Sequence, residues 1–98
     1  MSDITRNDLK KNAMDFFEKK GYQILAGDTG VDFLIEKDSV KTAVIVISRD
    51  EVSKNVVGAR YVVAYPRYPK QIIFTEKKVS EDVQREFSDA DVKFISIA

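Results

Sequence analysis

The sequence predicts an α/β fold, a three-layer α/β/α sandwich in which helices cover both faces of a mixed central sheet. Three observations carry that expectation. The segment Val40 to Ser48 is rich in β-branched residues, and its second half, Ala43-Val44-Ile45-Val46-Ile47, shows no polar alternation, as expected of a central strand covered on both faces. A short helical stretch after Ser80 links two strand-like segments, a crossover suited to parallel pairing. The 98 residues, 44% apolar and 33% charged, suffice for a single core and a single domain spanning 1–98.

The elements follow in order as helix, three strands, helix, strand, helix, strand. Thr5 followed by Asp8 is a capping signal, and Leu9, Ala13, Phe16, Phe17 and Lys20 recur at helical spacing, with Lys19 and Lys20 favouring the carboxyl end. Gly21 closes that helix. Tyr22 to Leu25 reads as a short strand, Gly27-Asp28-Thr29-Gly30 as a turn, and Val31 to Glu36 as a second strand. Lys37-Asp38-Ser39 turns the chain into the strand Val40 to Ser48. Asp50 to Pro66 is read as a helix with Val52, Val56, Ala59 and Val63 on one face, although Tyr61 to Tyr65 also has the composition of a strand. Pro66 to Lys70 forms a loop, and Gln71 to Thr75 forms the fourth strand. Ser80 caps a short helix carrying Val83, Phe87 and Ala90 inward, and Val92 to Ile97 is the last strand. The sequence holds no internal repeat or low-complexity segment.

Composition excludes several chemistries. The sequence has no Cys, His or Trp, which removes disulfides, zinc sites of thiolate or imidazole, Ser-His-Asp triads and thiol nucleophiles. Sixteen Lys and Arg balance sixteen Asp and Glu, so any basic binding surface must be local. The start, Met1-Ser2-Asp3-Ile4-Thr5-Arg6, lacks a signal-peptide pattern, and the longest strongly apolar run is Ala43 to Ile47. A cytoplasmic protein without membrane association is expected.

A helix ending at Gly21-Tyr22, a strand, then Gly30-Val31-Asp32-Phe33-Leu34-Ile35 and a hairpin into Val44-Ile45-Val46-Ile47 resembles the restriction-endonuclease-like superfamily, nearest its Mrr and archaeal Holliday-junction resolvase branches. Ile72-Ile73-Phe74-Thr75, the short helix and Val92-Lys93-Phe94-Ile95 resemble the closing strand-helix-strand of Mrr-type domains, so the likeness spans almost the whole chain. The resemblance implies an Asp on the second strand and a Glu-x-Lys or Gln-x-Lys triplet on the third. Together these hold a divalent metal and poise a water for phosphodiester attack, the metal neutralising charge at phosphorus. Asp32 matches the strand-two acid. The triplet falls on Ile45-Val46-Ile47, which offers neither ligand nor base, so the active site is degenerate. Lys10 falls near the position of a helix-one Glu in resolvase-like members, with Asp8 the nearest acid.

Among the candidate residues, Asp32 is disfavoured in a strand and asks for a reason: a remnant of the metal site, or an acid that is solvated or caps a turn at a strand entrance. Glu36 shares its face and, with Lys37, could form a relocated acid-lysine pair; a solvated hairpin end explains it more simply. Ile45 and Ile47 read as packed core in place of ligands, contributing about 1.5 to 3 kcal/mol each. Arg60, Tyr61, Tyr65, Arg67, Tyr68 and Lys70 interleave basic and aromatic groups, as do surfaces that neutralise phosphates and stack bases, or as does a solvated helix end whose tyrosines cover the core. The nucleic-acid-binding candidates are Arg60, Arg67, Tyr68 and Lys70. Lys10, Lys11, Lys19 and Lys20 are diluted by Asp8, Asp15 and Glu18, and Gly27 to Gly30 is no phosphate loop because a strand follows it.

The expected function is therefore a catalytically degenerate nuclease-fold protein that binds DNA or RNA or assembles a complex, as a homodimer or with a protein partner, and needs no cofactor. Two alternatives stand beside it. One is a divergent Mg²⁺-dependent endonuclease using Asp32 as a metal ligand with a relocated acid, and the other is a protein-interaction adaptor whose old cleft is filled.

Overall fold

A computed structural model describes residues 5–49 and 52–97, in which the eight expected elements occur in the expected order. The expectations for Met1–Ile4 and for Asp50 as the start of the second helical stretch lie outside the described residues. Helix α1 (Arg6–Lys19) begins on a capping box: the Thr5 hydroxyl accepts from the Asp8 N–H at 3.1 Å, and the Thr5 N–H donates back to the Asp8 carboxylate at 3.5 Å. The helix buries Leu9, Ala13 and Phe17 and ends before Gly21, whose φ of 90° suits glycine.

Strand β1 (Gln23–Asp28) is longer than the sequence suggests, because Gly27 and Asp28 continue the ladder and only Thr29 and Gly30 turn. Gly27 lies in the strand because a Cβ there would collide with the main-chain carbonyls of Val31 and Asp32 on the neighbouring strand. Strand β2 (Val31–Lys37) pairs antiparallel with β1 and with β3 (Val40–Ile47). The β2–β3 hairpin closes on Asp38 and Ser39 alone, both at positive φ (55° and 68°), a two-residue turn that follows the twist of the strands. Every residue from Thr42 to Ile47 is buried, in keeping with a central strand covered on both faces.

Helix α2 (Lys54–Ala64) starts on Ser53, whose hydroxyl accepts from the Val56 N–H, and returns the chain to β4 (Gln71–Thr75). The 54–64 segment is helical, as preferred, but the phase differs from expectation. Val57 and Ala64 are the buried residues, with Arg60 and Tyr61 half-buried between them, whereas Ala59 and Val63 are exposed. Valines at 56, 57, 62 and 63 place β-branched residues on two faces, so apolar spacing alone does not fix the phase. Val63 instead lies over Gly30 at the β1–β2 turn. Helix α3 (Glu81–Glu86), capped by Ser80, buries Val83, with Phe87 and Ala90 half-buried just beyond its end, and leads into β5 (Val92–Ser96).

The sheet runs β1-β2-β3-β4-β5, antiparallel for its first three strands and parallel from β3 to β5. One face packs Phe33, Ile35, Val44, Val46, Ile72 and Phe74 against α1; the other packs Leu34, Ala43, Ile45, Ile47 and Ile73 with α2 and α3. Three layers result. Ile45 and Ile47 sit at 0% and 3% exposure in the second of these cores.

Candidate functional site

Among the described residues, Asp32 is the one buried acid, with 3% of its side chain exposed. The last regular β2–β3 pair in this direction is Phe33 with Val44, so the strands part at Asp32, and the carboxylate takes the place of a ladder partner. Its Oδ2 accepts from the Val46 N–H at 2.7 Å and from Arg60 Nη2 at 3.2 Å, and its Oδ1 accepts from Arg6 Nη2. A charge in this position must be paired and hydrogen-bonded to be tolerated, and here three donors do so from α1, α2 and β3. Gly27 lies across the ladder from Asp32 and lets β1 close on its main chain.

Arg60 is a nucleic-acid-binding candidate from the sequence; Arg6 was not, although a signal existed. A cation in the first turn of a helix opposes the helix dipole and asks for an anionic partner, which Asp32 supplies. Beside the Asp32 carboxylate opens a cavity of about 360 Å³ at the carboxyl end of β3, lined by Arg6, Ser48, Arg49 and Arg60 with Val46 and Val56 among its apolar walls. Arg49, also missed, is exposed and has no ion-pair partner among the described residues.

The remaining candidates are not brought to this point. Glu36 shares the face of Asp32 but sits four residues along β2, roughly 13 Å away at 3.3 Å per residue. There it lies opposite Lys41, and Lys37 donates to the Lys20 carbonyl and covers the Tyr22 ring. Asp8 is used in the α1 cap. Arg67 and Tyr68 converge on Asp28, at 2.7 and 3.3 Å, and the Thr29 N–H adds a third bond at 2.7 Å. That N–H, and then Arg67, hold the Asp28 carboxyl below its ordinary value. Lys70 lines a separate cavity with Lys37, Asp38, Asp91 and Lys93.

The donor set around Asp32 does not fit the Mg²⁺ that the resemblance implies. A hard dication takes oxygens, usually from more than one carboxylate or carbonyl. Asp32 spends both oxygens on N–H donors, the positions where the resemblance would put a second acid and a lysine are Ile45 and Ile47 in this chain, and two guanidinium groups in the same shell repel a dication. Among the described residues, no group of three or more Asp, Glu, His or Cys is placed to hold a metal ion. The arrangement presents guanidinium groups outward and keeps its carboxylate beneath them.

No protein-family model matches the sequence, and no curated protein matches it. Similar solved structures include a protein of unknown function, AF1548, at a TM-score of 0.62 and 17% identity, over 87% of this chain and 54% of that one. They also include MspJI restriction endonuclease in complex with a 27-mer oligonucleotide, at a TM-score of 0.59 and 24% identity, over 89% of this chain and 24% of that one. This chain thus spans about half the length of the first and about a quarter of the second. The fold is restriction-endonuclease-like, a five-stranded mixed sheet flanked by helices.

Proposed function

We propose that this protein is a nuclease-fold module of the resolvase-like kind that binds DNA or RNA, or assembles a complex on it, without cutting the strand. The observation that carries this reading is the state of Asp32. The acid that would ligate a metal is neutralised by Arg6 and Arg60, and the seats for its partners are occupied by Ile45 and Ile47 in the core. Converting those seats to packed core exchanges ligands that would repel one another for apolar burial. The likeness to a restriction endonuclease solved with an oligonucleotide supports nucleic acid as the partner class.

A second reading, a protein-interaction adaptor, draws support from Val62, Val63 and Tyr65, large apolar side chains each exposed near the end of α2. The two readings separate in one experiment. Purified protein is mixed with labelled duplex, four-way junction and single-stranded DNA and RNA, with Mg²⁺ or Mn²⁺ present, and both mobility and strand length are followed. The expected outcome is binding that weakens as salt rises, with every strand intact. Metal-dependent cleavage abolished by Asp32→Asn would replace this reading with the endonuclease one, and no binding to any probe would leave the adaptor.

A further inference from the structure

The cavity beside Asp32 has a composition that neither a metal site nor a packed core explains. Arg6, Arg49 and Arg60 reach it from α1, from the end of β3 and from α2, and Ser48 adds a hydroxyl-bearing side chain. Three guanidinium groups against the one Asp32 carboxylate leave a net of two positive charges around the cavity among its described residues. Half of the Arg6 side chain and about a third of that of Arg60 remain exposed. Each guanidinium has five N–H donors, and the bonds of Arg6 and Arg60 to Asp32 use one nitrogen apiece. The carboxylate below therefore holds one nitrogen of each of two forked donors and leaves their other N–H groups without a bond to Asp32, on side chains that line the cavity.

We infer that this cavity is a seat for a phosphate group, bound through Arg6, Arg49 and Arg60 without a metal ion, with Asp32 as the positioning residue that orients two of the three arginines. This rests on the reading of the protein as a nucleic-acid-binding module and assigns the place where the strand is held. Guanidinium forks match phosphate oxygens in pairs, and pre-ordering them by a buried counter-charge lowers the entropy lost on binding. A phosphodiester of a strand and free inorganic phosphate present the same chemistry here. The strand is favoured by what lies alongside: Arg49 also lines an adjoining cavity of about 520 Å³ with Lys54, Lys77 and Lys78, and although Asp82 shares that lining and Lys54 pairs with Glu86, cations outnumber acids along it past the seat.

The test uses the full chain in excess EDTA. Fluorescence anisotropy of a labelled single-stranded and a labelled duplex oligonucleotide is measured for the wild type, Arg49→Gln and Arg60→Gln, with Lys11→Gln on the outer face of α1 as control. In parallel, the arginine side-chain NMR signals are followed as inorganic phosphate is added. Arg49 is exposed and outside the core, so its replacement leaves the fold intact, which circular dichroism verifies. The expected result is binding that persists in EDTA, falls about tenfold in each arginine variant, and loses about one from its salt slope, with Lys11→Gln unchanged. Signals of Arg6, Arg49 and Arg60 shift with phosphate. Wild-type binding to oligonucleotides that both arginine variants retain in full overturns the seat and leaves the nucleic-acid reading standing. Phosphate-dependent shifts at these arginines without oligonucleotide binding keep the seat, with free phosphate as its ligand, and overturn that reading. Absence of both overturns both.

Discussion

Asp28 and Asp32 flank the same tight turn, and each is met by an arginine from α2 or the loop after it, yet the two pairs do different things. Asp28 ends β1 with 36% of its side chain exposed, and Arg67, its partner, is more exposed still. Asp32 opens β2 with 3% exposed and is bonded by two arginines and the Val46 main chain. An exposed ion pair exchanges readily with water and contributes little, whereas a buried carboxylate must keep every partner it has. The same residue types four positions apart thus give a surface tether at one point and a fixed electrostatic centre at the other.

The comparison sharpens most at Ile45, the position next to Asp32 across the parting strands. Ile45→Glu places a second carboxylate in the buried setting, and we expect it to cost about 4 kcal/mol or more in urea unfolding without creating Mn²⁺ binding by calorimetry. Stable folding with tight Mn²⁺ binding would mean that the centre retains its metal-binding capacity. Next in size is Asp32→Ala, which strands the Val46 N–H and two guanidinium groups at an expected cost of about 3 kcal/mol by the same measurement. Asp28→Ala should leave the unfolding midpoint near that of the wild type, and equal losses at the two positions would break the comparison. Arg60→Gln removes one of three donors to Asp32, with an expected loss of about 1 kcal/mol because its side chain is one-third exposed.

The smallest effect is the pH dependence at Asp28. Its pKa is lowered in the folded chain, first by the Thr29 N–H and then by Arg67, so the folded state binds this proton less readily than the unfolded one. Its stabilisation is therefore present above the ordinary carboxylate range and disappears as pH falls through the lowered value. Melting temperatures of the wild type and Asp28→Ala should keep a constant small gap from neutral pH to about pH 4 and converge below it. Added salt at neutral pH should close the same gap, since the pair is exposed.

The fold was readable from the sequence because its strongest signals were local. The unbroken apolar run in β3, the Thr5 and Ser80 caps and the positions of Gly21 and Pro66 each mark an element or its end without reference to the rest of the chain, whereas the Ser53 cap of α2 was not read. Gly27 misled, since a glycine needed for close approach within a strand carries the same letter as one needed for a turn. The site was half legible. Asp32 stood out as an acid in a strand, and Arg60 as a basic residue on α2, but their meeting depends on the phase of α2, which four valines on two faces obscured. Arg6 and Arg49 lie 26 residues before and 17 after Asp32 in the chain, and only the sheet brings their elements to one end. Arg67 and Tyr68 have the composition of a binding surface, but they are anchored to Asp28.

The reversal of strand direction at β3 also orders how the sheet can assemble. Its first three strands are neighbours in sequence, joined by two-residue turns, and can zip together at small loop-closure cost. The parallel strands β4 and β5 can join only after α2 and α3 have crossed back over that meander. Since Asp32 and Val46 belong to the early half while Arg60 arrives with the first crossover, the carboxylate is expected to wait, hydrated, for its second arginine. Its desolvation then coincides with the docking of α2, making this acid a natural reporter of the late step in refolding.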